Sequence, residues 1–104
     1  MGCDPIELRC IVAFDPIIRP ELQTEDLLRV LAQLKQKYND RVDKHGPGIL
    51  VSSHEILGVV VEEYDEVKAE VQANRLQGLH RELEDLAVAC IVGMVSLRSG
   101  RVQW

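Results

Sequence analysis

Two short acidic runs are the part of this 104-residue sequence whose types and spacing could do chemistry. Glu62-Glu63-Tyr64-Asp65-Glu66 is followed, after fifteen intervening residues, by Glu82-Leu83-Glu84-Asp85. Glu63 and Glu66 are three apart, as are Glu82 and Asp85, so on helices each pair shares one face. Carboxylates that face one another repel unless a cation sits between them. For an all-oxygen set that cation is Mg²⁺, with Mn²⁺ as the alternative. Four carboxylates on two facing helices are an established way to build a metal site inside a bundle. Glu62 lies four before Glu66, so it could replace one of the four, or orient and deprotonate a water. Asp65, Glu70 and Glu84 read as solvated helix face.

These pairs need two helices joined by a short turn, and the sequence offers three helices. The first starts at Thr24 as N-cap, with Glu25 and Asp26 in its first turn. Leu27, Leu28, Val30, Leu31, Leu34 and Tyr38 give it an apolar stripe, and it ends near Val42 or Asp43. Lys37, Arg41 and Lys44 share a face of its last turns, where they either contact phosphate or complement the helix C-terminus. His45-Gly46-Pro47-Gly48 breaks the chain. A capping box of Ser52 and Glu55 opens the second helix, which runs through Gln72 with Val60, Tyr64, Val67 and Val71 as an apolar line. Gly58 inside it costs about 1 kcal/mol relative to Ala, which a close helix crossing, an approaching substrate or neutral drift would explain. The turn spans Asn74 to Gly78. Either Asn74 with Gln77 forms a second capping box, or Gly78 marks a later start. The third helix reaches Arg98, with Leu79, Leu83, Leu86 and Cys90 along one face and Ala87, Ala89 and Gly93 allowing close packing. Ser99-Gly100 ends it.

Residues 1–23 form an N-terminal arm. Ile6, Leu8, Cys10, Val12 and Phe14 alternate in it between Pro5, Pro16 and Pro20, which reads as extended chain or a short strand pairing with a partner subunit, with a loosely ordered tail as the equal alternative. Residues 24–104 form one all-α domain. The net charge of −5 argues against a general nucleic-acid binder. Three cysteines without CxxC spacing fit a reducing, cytoplasmic setting. No secretory signal is visible, and position 6 of the Met-Gly start is Ile6, against myristoylation. Leu86 to Leu97, the longest uncharged stretch, is shorter than the roughly 20 residues a membrane span needs.

The pattern Glu-x-x-Glu, then Glu-x-x-Asp, resembles the MazG-like superfamily of all-α nucleotide pyrophosphohydrolases over about Ser53 to Arg98. The Glu62-Glu63 doublet, Leu86-Ala87 after Asp85, and the stretch His54 to Glu63 are similar to a short phage and bacterial branch. Val59 stands where many members carry lysine. The resemblance implies that Glu63, Glu66, Glu82 and Asp85 bind Mg²⁺. It also implies that a nucleoside triphosphate is hydrolysed to the monophosphate and pyrophosphate. In that reading Glu62 acts on the attacking water, and Lys37, Arg41 and Arg98 balance phosphate charge.

Ile56 to Val61 and Leu86 to Leu97 carry no charge, and helices apolar on most sides are buried helices. Three helices leave such surfaces uncovered, which soluble monomers rarely tolerate. The expected architecture is therefore an antiparallel helical bundle completed by oligomerisation, as a homodimer or homotetramer. A non-catalytic helical oligomer that binds a nucleotide or a protein is the alternative function.

Overall fold

A computed structural model of the chain describes residues 19–104. Residues 1–18, which hold most of the expected arm and its alternating stretch, lie outside the described residues. The chain divides into two compact units, Met1–Val30 and Leu31–Trp104, and the features that bear on function belong to the second. The described residues form three helices, α1 (Thr24–His45), α2 (Ser53–Gln72) and α3 (Leu76–Arg98). Among them there is no strand, only an isolated parallel bridge between Ser52 and Gln103.

The helix ends follow local chemistry. Thr24 is the first helical residue rather than the cap, and the Gln23 carbonyl accepts from the Leu27 N–H at 3.1 Å. α1 reaches His45, past the expected end, because nothing stops it before Gly46, whose φ of 88° suits glycine. At α2 the Ser52 hydroxyl accepts from the Glu55 N–H at 3.1 Å. The Glu55 carboxylate accepts from the Val51 N–H at 2.8 Å, so the box closes one residue before the cap. Asn74, with φ 58°, ends α2: its N–H donates to Val71 and that of Arg75 to Glu70, both at 3.1 Å. This is a Schellman arrangement with Asn in the left-handed position. Asn74 is thus spent on closing α2 and does not cap α3, which begins at Leu76 behind an extended Arg75 with no side-chain cap.

α2 and α3 pack as an antiparallel hairpin. Glu70 meets Gly78, Glu63 meets Glu82 and Asp85, and Ile56 meets Gly93. The inward face of α2 is Ile56, Val60, Glu63, Val67 and Glu70. Tyr64 and Val71 instead stand 51% and 55% exposed. The apolar line expected through Tyr64 and Val71 is therefore tilted from the real seam. α2 carries Val, Ile and Leu on several sides, so periodicity does not single out one face.

Glu70 corrects the sequence reading more sharply. It is buried rather than solvated, and Arg75 Nε donates to its carboxylate at 2.6 Å. Gly78 makes the space, because a Cβ there would overlap the Glu70 carboxylate. The carboxylate also lies at the α3 N-terminus, where the helix dipole favours negative charge.

Gly93 is the close crossing: a Cβ added there meets Ile56 Cγ2 at 3.0 Å. At Gly58 an added Cβ meets nothing within 4 Å. Gly93→Val is accordingly expected to destabilise the chain by about 1–3 kcal/mol through overpacking, read as a lower urea midpoint with an unchanged slope.

Two polar anchors hold the other end of the hairpin. The Ser96 hydroxyl, 1% exposed, accepts from the Leu50 N–H at 3.0 Å and donates to the Val92 carbonyl at 2.7 Å. The tail after α3 returns beside the start of α2, where the Gln103 carbonyl accepts from the Ser53 N–H at 2.6 Å. Trp104 is 95% exposed. Val88 and Ala89 are the buried hydrophobic residues among those described, while Leu57, Val61, Tyr64 and Val71 line an outward face of α2 and stand exposed.

Candidate metal centre

The hairpin register decides the site. Three residues separate the last residue of α2 from the first of α3, so positions equally far from the turn come opposite each other. Glu63 and Glu66 lie about two turns before the end of α2, and Glu82 and Asp85 about two turns into α3. One carboxylate oxygen from each of these four side chains lies within 4.8 Å of the other three. Glu63, Glu82 and Asp85 are half-buried and Glu66 is exposed. The set is thus open on one side and closed toward the α2–α3 seam.

Two oxygens are orphaned on the closed side. Glu63 Oε2 and Glu82 Oε2 are both buried and have no hydrogen-bond partner among the described residues. An unpaired buried carboxylate oxygen forfeits its hydration with nothing in return. A divalent ion takes oxygen ligands of this kind, so the four carboxylates and their unpartnered buried oxygens fit such an ion.

The titration behaviour follows from this crowding. Burial pushes the Glu63 carboxyl above the ordinary range, against a hydrogen bond with Glu66, and the charges of Asp85, Glu62 and Glu82 add to the rise. Burial likewise raises Glu82, helped by its hydrogen bond with Glu66 and by the charges of Glu66 and Asp85. For Glu66 a hydrogen bond with Glu82 lowers the value, but the bond to Glu63 and that neighbour's charge outweigh it, and the net direction is up. Burial and the crowding of like charge thus both favour the neutral form of Glu63 and Glu82.

Two cations lie at the edges of the set: Arg81 Nε is 4.0 Å from Glu82 Oε1 and offsets part of the rise at Glu82, and Lys37 approaches from α1. Lys37 Nζ on α1 lies 2.9 Å from Asp85 Oδ1 and 3.3 Å from Glu84 Oε1. Burial lowers the Lys37 pKa, but the bonds to Asp85 and Glu84 outweigh it and the value rises. Sequence spacing could not reveal this pairing, since Lys37 and Glu84 are 47 residues apart. It also removes Glu84 from the solvated face expected of it, with its side chain 20% exposed.

The other candidates lie elsewhere. Glu62 is exposed, beside the four but outside them. Arg41, one turn after Lys37, lines a cleft of about 170 Å³ with Tyr38, His45, Leu50, Val92 and Ser96. Arg98 is exposed, thirteen residues beyond Asp85 and so about 20 Å further along α3. Within one chain it does not reach the four carboxylates. No described helix is long and apolar enough to cross a membrane.

Comparison with known protein families, with curated proteins and with solved structures finds no match to this chain.

Proposed function

We propose that the chain is a Mg²⁺-dependent nucleotide pyrophosphohydrolase of the MazG-like kind, cleaving a (d)NTP to the (d)NMP and pyrophosphate. The observation that carries this reading is the meeting of Glu63, Glu66, Glu82 and Asp85, with two buried oxygens left without partners. Ordinary solvated acids do not converge with their oxygens buried.

Glu63, Glu66, Glu82 and Asp85 would hold Mg²⁺, with Mn²⁺ as a substitute. When bound, the ion neutralises the carboxylates and withdraws electron density from phosphate oxygens. Glu62, beside the four and open to water, would orient the attacking water and accept its proton. Water attacks the α-phosphorus, the bond to the β-phosphate oxygen breaks, and pyrophosphate leaves. Lys37 and Arg41, one turn apart on α1, offer charge to the polyphosphate. Arg98, if it contributes, would do so in another copy of the chain.

A homodimer or homotetramer in the cytoplasm completes the reading. The outward α2 face of Leu57, Val61, Tyr64 and Val71 is the kind of apolar surface a second copy covers. That surface serves the alternative equally well, a helical oligomer that binds a nucleotide or protein without turnover.

The deciding experiment measures pyrophosphate release from a panel of NTPs and dNTPs with Mg²⁺ and with EDTA. Mg²⁺-dependent release from at least one nucleotide is expected. No release from any of them, with no effect of Mg²⁺ on thermal stability, would leave the non-catalytic oligomer.

A further inference from the structure

We infer that Lys37 is a built-in counter-cation of the carboxylate centre, occupying Asp85 until a divalent ion takes its place. This rests on the proposal that the four carboxylates hold such an ion. Lys37 lies on α1, outside the hairpin that supplies the acids, yet its ammonium is 2.9 Å from one of the four, Asp85. It is pinned there by three acceptors on α3: Asp85 Oδ1, Glu84 Oε1 at 3.3 Å and the Arg81 carbonyl at 3.5 Å. Glu84 lies next to Asp85 in sequence and is not among the four. It therefore gives the lysine a second anchor that a metal does not contest.

The charges divide unequally. The lysine satisfies Asp85 at the edge of the centre and leaves Glu63 Oε2 and Glu82 Oε2 unpartnered on the buried side. A divalent ion drawn to those oxygens must approach a positive charge already seated on Asp85. Lys37 thus lowers metal affinity while reducing the repulsion among the acids when no metal is bound. Held by Glu84, it stays beside the centre after Asp85 is taken, and its ammonium is then free to meet an anionic substrate. Before the ion binds, its role is positional, acting on Asp85 and on the field the ion must enter.

The test is Mn²⁺ binding to the metal-free full chain by titration calorimetry at pH 8, for the wild type and for Lys37→Met, Lys37→Arg and Lys35→Met. Circular dichroism checks that each variant is folded, and Lys37→Gln replaces Lys37→Met if the latter is not. A unit charge beside a divalent ion in a water-accessible site changes affinity roughly tenfold. Lys37→Met should bind Mn²⁺ about tenfold more tightly than wild type and melt at a lower temperature in EDTA. Lys37→Arg, which keeps the charge, and Lys35→Met, which removes an exposed one, should match the wild-type affinity. Unchanged or weaker Mn²⁺ binding in Lys37→Met would overturn the inference and leave the metal centre standing. Absence of Mn²⁺ binding in every protein would instead overturn the metal centre itself, and the role of Lys37 with it.

Discussion

Glu63→Gln should stop pyrophosphate release and at the same time stabilise the metal-free chain. The two effects have one cause. Glu63 lies in the α2–α3 seam with an unpartnered buried oxygen, and its carboxyl is pushed up by burial and by Asp85, Glu62 and Glu82. Making it neutral removes a charge that the fold holds at a cost. Discounted for the water that still reaches the group, the gain is about 1 kcal/mol, measurable in urea with EDTA present. The same change deletes a charge from the proposed ligand set, and loss of such a group in a metal-dependent hydrolase costs on the order of 10²–10⁴ in turnover. Asp85→Asn supplies the contrast. It should be equally inactive, but Asp85 is paired with Lys37 at 2.9 Å, so neutralising it forfeits an ion pair. Its stability should stay level or fall by up to about 1 kcal/mol. A stability gain at Glu63 with none at Asp85, and equal loss of activity, separate a centre built for a cation from a chance cluster. If Glu63→Gln proves less stable than wild type, the crowding argument fails.

The convergence of the four carboxylates is legible in the sequence because it depends on two local quantities. The i,i+3 spacing fixes a shared face, and the short turn after Gln72 fixes which positions come opposite. Capping is legible for the same reason at Ser52 and Glu55, whose partners are three residues apart. What the sequence hides is tertiary. Lys37 reaches Asp85 from a helix that contributes no acid, and no spacing connects them. Glu70 looks like any surface glutamate until Gly78 and Arg75 are placed around it. Gly58 and Gly93 are both helical glycines, and only the packing partner distinguishes the open position from the crossing. The seam of α2 escapes its apolar periodicity because two of its inward positions, Glu63 and Glu70, are charged. A pattern that seeks apolar residues passes over the inward positions that charged residues occupy.

The same crowding makes stability depend on pH in a direction that Mg²⁺ should remove. Glu63, Glu66 and Glu82 all titrate above the ordinary carboxylate range in the metal-free fold. The unfolded chain releases these protons near pH ~4.3, the unperturbed value for glutamate. The folded chain keeps them to higher pH, so between the two ranges it binds more protons than the unfolded chain. Their contribution is therefore fully present below the unfolded value and is lost as pH rises through the raised folded values. In EDTA, thermal midpoints should decline as pH rises above the unfolded value and through the raised folded ones. A divalent ion binds the deprotonated carboxylates, so its stabilisation grows over the same window. At a hundred times its dissociation constant it supplies about 2.7 kcal/mol, which for a domain of this size raises the midpoint by roughly 10 °C or more. The expected record is two melting curves that lie close together in acid and separate as pH rises, the Mg²⁺ curve above. Glu63→Gln should narrow the separation, since it removes one of the three raised groups and one ligand charge together. Curves with and without Mg²⁺ that stay superimposed through neutral pH would mean that the four carboxylates meet without serving a cation.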